Sequence, residues 1–540
     1  MLTVKEVLDS KIGLDVRCVD RVLLNGWVRY LQMPGGVVNY IREQHGWPIP
    51  SPAAMGKMSD GFHKAVEQFA VRQGLQIVTF AKGESKEELA HAALASFTKK
   101  SGVVLIGKAQ EQASAFKGRR TDKGSKVWFT YSRQAVNVIH YYFHVLDEDF
   151  GLAFIKVCTY LPFEVKVCFN GHEWAKQQLR QAGVAFEALD NGFATCADPE
   201  YLQAICALLT GEQVQDFFDR WVDQLPWPLT PMERAAGYRH ELSVWQLEVS
   251  RTQVFLDEEQ GRALVENLIR DNLDLGRPDR VRLIFERQLT KRTPSEFRTD
   301  VITYGVMPSI RIHYKHSALK QYLKEGRALR TEMMINNPRD FDSPRGIAQF
   351  DALVALGQRC NDRLLEQEKV SQDCFVPLEQ VRELGQSTVD DAGQRASALR
   401  FGDRRVMAVL AALAGFAHIP GKLSNKQMRQ PVSDLLGAMV GGYTSAQMSY
   451  DLRRLRLKGL VERVPKSHAY ILTALGAKVA VFFTKLHARL FRPGLAAMAS
   501  PPAVPSPLAQ ALATVADLIQ AAVQEANFAP AAAAEILIRL

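Results

Sequence analysis

The order of apolar and polar positions in the first 225 residues alternates between the periods of strands and helices. Short apolar runs at Leu75–Phe80 and Gly102–Gly107 have the length of strands, and the Ala- and Leu-rich segment Ser85–Lys100 between them has the pattern of a helix. A strand, a helix and a strand in this order predict a crossover between parallel strands. We therefore expect an α/β domain at residues 1–225.

Three β-rich runs follow at His140–Leu146, Leu152–Tyr160 and Glu164–Phe169, with turn-like residues between them. A predicted helix at His172–Gln181 and a further apolar run at Val184–Leu189 come next. Three strands, a helix and a fourth strand is the order at the front of an RNase H-like core. The pattern thus predicts a mixed sheet, with an RNase H-like topology as the sharper hypothesis.

The second half of the chain divides into three predicted parts. Residues 226–400 are expected to form a mostly helical, basic domain, and residues 401–492 a compact helical unit that ends in a hairpin. Residues 493–540 contain the Pro-, Ser- and Ala-rich stretch SPPAVPSP and are expected to form a linker and a C-terminal helix.

The unit at 401–492 carries the most specific pattern in the chain. Asp403–Ala414 has the apolar spacing of a helix, and Ser424 begins a capping box that starts a second helix, expected to end at Gly441-Gly442. Thr444 begins another capping box. Two capped helix starts separated by a glycine-rich turn predict a helix-turn-helix.

The third helix of this unit, Ser445–Lys458, has Met448, Leu452 and Leu455 on one face, and two short strands follow it around Pro465–His468. A polar and basic helix face can contact base edges and phosphates in a major groove, and a hairpin can contact the backbone. The side chains predicted to bind nucleic acid here are Gln447, Tyr450, Arg453, Arg454, Arg456, Lys458, Lys466 and His468.

Residues from about Asp403 to Arg489 resemble the winged helix-turn-helix of bacterial regulators of the MarR type. The resemblance rests on the segments DLRRL, GLVER and YILT and on the glycine that follows them. It implies DNA binding, while a protein-interaction module is the alternative use of this fold. The stretches VLDEDFG and NGHEWAK resemble uncharacterised bacterial proteins, and this resemblance implies no activity.

Charge and composition favour a nucleic acid as the partner. The chain has a net charge of +9 and a pI near 9.1, and an excess of positive charge favours polyanionic partners. Between Arg277 and Arg330, 13 Lys and Arg residues face 5 Asp and Glu residues. Lys320, Lys324 and Arg327 follow helical spacing there and would line one helix face toward phosphates, or toward solvent in the alternative interpretation.

The same composition gives no sign of a membrane or secreted protein. No stretch reaches 18 uninterrupted apolar residues, and the seven cysteines are scattered without a CxxC pair. Free thiols in a reducing cytoplasm are the expectation. The chain is expected to bind DNA rather than RNA, to stay off membranes and to form a homo-oligomer.

Carboxylates in the RNase H-like stretch suggest a catalytic site. Asp147, Asp149, Glu173 and Asp190 follow the predicted strands or begin the helix, and Asp149 with Glu173 would bind Mg²⁺ or Mn²⁺. Ordinary turn and helix-cap chemistry is the alternative for the same residues. A second nuclease pattern joins Asp149 to the Glu-x-Lys sequence that begins at Glu164.

Two functions are consistent with these patterns. In the first, the protein is a metal-dependent nuclease or strand-transfer enzyme of a mobile-element or defence type, which the basic segments hold on DNA. In the second, it is a non-enzymatic winged-helix regulator whose N-terminal part senses a ligand or forms an oligomer.

Overall fold

The computed structural model describes residues 11–47, 51–81, 83–123, 126–271, 281–285, 299–304, 307–372, 378–389, 393–417, 422–437 and 443–487, with Leu8, Val376 and a few positions after residue 509. The chain divides into two compact units. The N-terminal unit comprises Met1–Arg270 and Arg282–Leu365, and the C-terminal unit comprises Asp271–Val281 and Glu366–Leu540.

A large mixed sheet dominates the N-terminal unit. In chain order its strands and those beside it are β1 (Ile12–Val28), β2 (Ile77–Thr79), β3 (Gly102–Lys123), β4 (Lys126–Asp147), β5 (Gly151–Cys158), β6 (Val165–Asn170), β7 (Phe186–Leu189), β8 (Gly192–Cys196), β9 (His240–Phe255), β10 (Val281–Phe285), β11 (Thr299–Tyr304), β12 (Met307–Tyr314), β13 (Ser317–Lys324) and β14 (Ala328–Ile335). Twelve of them pair in the order β10-β11-β12-β13-β14-β9-β1-β6-β5-β4-β3-β2, and β7 and β8 pair separately.

Helices lie between and after these strands. They are α1 (Pro34–His45), α2 (Pro52–Gln73), α3 (Lys86–Ala95), α4 (Gly171–Ala182), α5 (Pro199–Leu208), α6 (Gly211–Gln224), α7 (Pro231–Ala235), α8 (Glu258–Asp271) and α9 (Phe350–Gln372). Short 3₁₀ turns occur at Arg29–Gln32, Pro338–Phe341 and Ile347–Gln349.

The predicted crossover near the start of the chain is confirmed. β2 and β3 pair in parallel, and α3 connects them. Ser85 caps α3 by accepting a hydrogen bond from the backbone N–H of Glu88, and Ala90 of that helix is buried with Phe80 and Leu105. The mixed α/β class expected from the sequence is therefore the observed one.

The finer topology differs from the RNase H-like order. β4, β5 and β6 form the expected antiparallel meander, and α4 follows. The fourth strand, β7, pairs with β8 outside the large sheet, and β3 is the neighbour of β4 on the side away from β5. An RNase H-like core requires sheet pairing to place a carboxylate after the fourth strand beside the end of the first. Here β7 does not pair with β4, so sheet pairing does not bring these positions together.

The mostly helical middle expected at 226–400 is also corrected. β9 and the strands from β10 to β14 lie inside it. Lys320, Lys324 and Arg327, expected on one helix face, lie on β13 and in the turn after it. Glu325 and Gly326 have φ values of 50° and 74° in that turn, and two consecutive positive φ angles suit a tight hairpin. The polar positions of β13 alternate with buried Leu319, which is the period of a strand.

The C-terminal unit contains a helix and a small hairpin before the predicted three-helix segment. Its elements are α10 (Leu378–Gly385), β15 (Thr388–Val389), β16 (Arg395–Ala396), α11 (Arg404–Phe416), β17 (Leu423–Ser424), α12 (Asn425–Leu436), α13 (Ser445–Leu457), β18 (Val461–Arg463), β19 (Ala469–Leu472) and α14 (Ala474–Leu486). β17, β19 and β18 pair in that order.

The sequence locates these helix starts correctly. Asp403 caps α11, and the capping boxes at Ser424 and Thr444 are both formed. The second helix ends earlier than expected, because it stops at Leu436 with Gly437 as its C-cap and not at Gly441-Gly442. Most of the predicted linker and C-terminal helix at 493–540 lies outside the described residues. Within the part of the chain that the structure describes, no helix is long and apolar enough to span a bilayer.

Candidate functional site

Asp147, the first of the four predicted catalytic acids, is a buried residue with several donors around it. Its Oδ1 accepts hydrogen bonds from the backbone N–H groups of Asp149 and Phe150 and so closes the turn between β4 and β5. Its Oδ2 lies 2.9 Å from Nη2 of Arg220 and 2.8 Å from Nε1 of Trp221. These contacts match the turn chemistry that the sequence left open.

The other three predicted acids are each close to a different cation. The pairs are Asp149 with Arg220 (3.5 Å), Glu173 with Lys176 (2.7 Å) and Asp190 with Lys324 (3.7 Å). Among the described residues, none of these four acids belongs to a group of three or more His, Cys, Asp or Glu side chains whose ligand atoms converge on one metal position. Their catalytic and metal-binding roles stay predictions, and the structure gives each of them a structural partner.

The basic residues predicted in the middle of the chain also have partners. The ammonium of Lys320 lies 3.9 Å from the centre of the Tyr322 ring. Arg327 bridges Glu187 and Glu258, at 2.9 and 2.7 Å. Their positive charges are thus balanced on the sheet and its edge rather than collected on one helix face.

A different group of acids converges on one face of the large sheet. Asp20 of β1, Glu248 of β9 and Glu332 of β14 each place one carboxylate oxygen within 4.8 Å of the other two. The strands that carry them are neighbours in the order β14-β9-β1. These three residues, the acidic cluster, have the number and type of ligands that could hold a metal ion.

Donors surround the acidic cluster. Arg330 is fully buried, and its Nη2 bonds the carboxylate of Asp20 while its Nη1 donates to the carbonyl of Asn191. The hydroxyl of Tyr322 donates to Glu332 over 3.2 Å. The ion pair with Arg330 thus orients the carboxylate of Asp20, and the Tyr322 hydroxyl contacts that of Glu332.

The protonation of the cluster follows from burial and from these charges. Burial favours the neutral form of Asp20, but the Arg330 guanidinium and the neighbouring His172 imidazole hold its pKa well below the usual range. Burial and the charges of Glu332 and Asp20 raise the pKa of Glu248 to about 8. Burial and the neighbouring acids thus act against the charged form of Glu248, while the ion pair with Arg330 favours the charged form of Asp20.

No local motif marks the acidic cluster in the sequence. Its three acids lie far apart along the chain, and pairing of β9 with β1 and with β14 brings them together. His172 and Asn191, which face Asp20, lie in the stretch NGHEWAK and after β7. The polar positions of β13 and β14 are the one available signal, because alternating charge on adjacent strands indicates a polar sheet face.

The C-terminal unit contains a basic groove between α12, α13 and the β18–β19 hairpin. Asn425, at the start of α12, donates hydrogen bonds of 2.8 Å to the carbonyl of Ser445 and to the hydroxyl of Ser449. The groove has a volume of about 390 Å³ and is lined by Asn425, Lys426, Arg429, Ser445, Ser449, Leu452, His468 and Tyr470. Lys426 and His468 are exposed.

Part of the predicted base-reading face of α13 is covered by the segment before α11. Arg454 donates to the carbonyls of Ser397 and Ala398, and the hydroxyl of Tyr450 lies 2.8 Å from that of Ser397. Lys458 is buried, with its ammonium 2.9 Å from the carbonyl of Glu383. A helical-wheel argument cannot show which neighbour covers a polar face.

The remaining predicted contacts of the unit fall into two groups. Gln447 is part of the Thr444 capping box, and Arg456 donates to Gln394 over 3.2 Å. Arg453, Lys466 and His468 are exposed. Lys426 and Arg429, which line the groove, were not among the predicted residues. The prediction covered α13 and the hairpin but not the start of α12.

Comparison with known proteins gives no assignment. The chain matches no protein-family model, no curated protein and no solved structure.

Proposed function

We propose that this protein binds duplex DNA through a winged helix-turn-helix in its C-terminal unit. The observation that carries the proposal is the basic groove between α12, α13 and the hairpin. Lys426, Arg429 and His468 line it, and Arg453 lies one turn beyond Ser449 on the same side of α13. A groove of this kind suits a phosphate backbone, which supplies most of the affinity of such complexes.

The order of elements supports the same proposal. A first helix, a short strand, two capped helices and a hairpin follow one another, and the short strand pairs with the hairpin in the order β17-β19-β18. Met448, Leu452 and Leu455 are buried and pack α13 against its neighbours. The opposite side at Arg453 is left toward solvent, where a recognition helix meets the major groove.

The structure changes which residues are expected to contact DNA. Arg454 and Lys458 hold the segment before α11 in place, so we assign them a structural role within the unit. Lys426, Arg429, Arg453 and Lys466 are now the expected phosphate contacts.

Fluorescence anisotropy with a labelled mixed-sequence duplex tests the proposal over 50 to 200 mM salt. Lys426→Ala is expected to weaken binding at every sequence and to flatten the plot of log affinity against log salt by about 0.9, the value for one lost phosphate contact. Arg382→Ala is the matched control, because Arg382 is an exposed cation of the same unit that does not line the groove. If the plots of log affinity against log salt have equal slopes for the wild type, Lys426→Ala and Arg382→Ala, a protein-interaction role for the unit is favoured instead.

The two function classes expected from the sequence differ in what happens after binding. Incubation of labelled DNA with Mg²⁺ or Mn²⁺ separates them, since a nuclease cleaves the strand and a regulator leaves it intact. If cleavage occurs, Asp149→Ala and Glu173→Ala test the predicted acids, and unchanged cleavage in both variants excludes them.

A further inference from the structure

We propose that Asp20, Glu248 and Glu332 form a binding site for one divalent cation of the Mg²⁺ or Mn²⁺ type. One oxygen from each residue lies within 4.8 Å of the other two. Oxygens around Mg²⁺ at about 2.1 Å are about 4.2 Å apart when they lie on opposite sides of the ion. The spacing of the three oxygens is therefore close to the spacing of oxygen ligands around one cation.

The backbone around the acidic cluster is preorganised. β1 and β14 pair with β9 from opposite sides, and Ser250 of β9 is opposite both Cys18 and Glu332. The pairing of β1 with β9 is irregular between Val19 and Val22, and Asp20 lies at this bulge. A bulge redirects a side chain relative to a regular strand, and such irregularities concentrate beside functional sites.

Two buried polar atoms that point into the acidic cluster form no hydrogen bond with any described residue. Nδ1 of His172 lies 3.7 Å from Oδ1 of Asp20, and Nε of Arg330 lies 3.6 Å from Oε2 of Glu332. Both side chains are at most 1% exposed. Buried polar atoms are normally bonded, and an exception calls for a water or an ion. A water ligand of such a cation donates hydrogen bonds and would donate to Nδ1 of His172, whereas Nε of Arg330 is a donor and needs an acceptor oxygen.

The negative charge at the site exceeds the positive charge of Arg330, and the nearby ammonium of Lys320 would compete with a bound cation. Three carboxylates meet one fully buried guanidinium, that of Arg330. Lys320 is opposite Glu332 in the pairing of β13 with β14, and it is only partly buried. Its ammonium is therefore a protein cation that can balance part of the remaining charge when no metal is bound, as is the guanidinium of Arg21 near Glu248. Removal of this ammonium is expected to strengthen metal binding.

Titration of the metal-free full chain with Mn²⁺, followed by the electron paramagnetic resonance signal of the free ion, tests the proposal. We expect one Mn²⁺ per chain, displaced by Mg²⁺. Glu248→Gln and Glu332→Gln are each expected to weaken binding at least tenfold, and Lys320→Met to strengthen it. Glu173→Gln is the control, because it removes a carboxylate of the site predicted from the sequence and leaves the acidic cluster intact.

The outcomes distinguish the two sites. Absence of Mn²⁺ binding to the wild-type chain, or binding that survives in both glutamine variants, would overturn the proposal. Loss of binding in Glu173→Gln alone would move the metal to the predicted pair with Asp149 and overturn it as well. If one glutamine variant does not fold, the other glutamine variant and Lys320→Met still test the site. Lys320→Met is informative because it is expected to raise the affinity for Mn²⁺ and not to lower it. Anisotropy in EDTA keeps this result separate from DNA binding.

Discussion

Replacement of Arg330 by methionine tests how the polar face of the large sheet is stabilised. The guanidinium is fully buried and bonds Asp20, whose side chain is 3% exposed. Methionine fills a similar volume but leaves the Asp20 carboxylate buried without its cation. It also removes the 2.5 Å hydrogen bond to the carbonyl of Asn191.

The expected loss is large relative to the stability of a domain. Removal of one partner from a buried ion pair costs about 3–5 kcal/mol, and the whole free energy of unfolding of a domain is about 5–15 kcal/mol. Asp20→Asn in the Arg330→Met background removes the stranded charge. The double variant should therefore unfold at a higher urea concentration than Arg330→Met alone, because the two effects are coupled.

Tryptophan fluorescence during urea unfolding is a suitable assay, because all seven tryptophans precede residue 246 and belong to the N-terminal unit. The experiment is done in EDTA, so that no metal compensates. Arg327→Met is the control, since its ion pairs with Glu187 and Glu258 lie at the surface and contribute little. The reasoning fails if Arg330→Met unfolds at the same urea concentration as the control.

Three further predictions concern other parts of the chain. Burial would raise the pKa of Glu233, but hydrogen bonds from His45 and Thr230 lower it to about 2. Because this pKa is below the usual 4.5, its stabilising contribution is present at neutral pH and is lost as the pH falls from about 4.5 toward 2; urea unfolding of Glu233→Gln should show a weaker pH dependence there. Lys458→Met should lower the melting temperature of the C-terminal unit, measured by circular dichroism, and leave the salt slope of DNA binding unchanged. Gly476→Ala should also destabilise this unit, because a Cβ there would lie 1.9 Å from the carbonyl oxygen of Leu460; a melting curve like that of the wild type would contradict the packing.

The sequence predicts local structure well where short-range chemistry decides it. The caps at Asp403, Ser424 and Thr444 and the parallel pair β2–β3 were all predictable, because a cap depends on neighbouring residues and a crossover on the order of three short elements. Hydrogen bonding to the backbone a few residues away leaves a clear pattern in the chain.

The sequence does not predict what long-range pairing decides. Lys320 and Lys324 have helical spacing in the sequence. They nevertheless lie on β13, because the hairpin at Glu325-Gly326 pairs β13 with β14. The acidic cluster could not be assembled from a pattern, since its acids meet only when β9 pairs with β1 and β14. Local signals at Asp147 and Glu173 were strong, and the structure shows hydrogen bonds and ion pairs for both.

The segment that covers α13 has a practical consequence for where the chain can be cut. Lys458 and Arg454 donate to carbonyl groups between Glu383 and Ala398. An expression fragment that begins at the predicted boundary of 401 would lack these acceptors. The ammonium of Lys458 would then lose its carbonyl partners and become exposed to water. A fragment that begins at Glu366, where the C-terminal unit resumes, retains them and is the suitable starting material for work on the C-terminal unit alone.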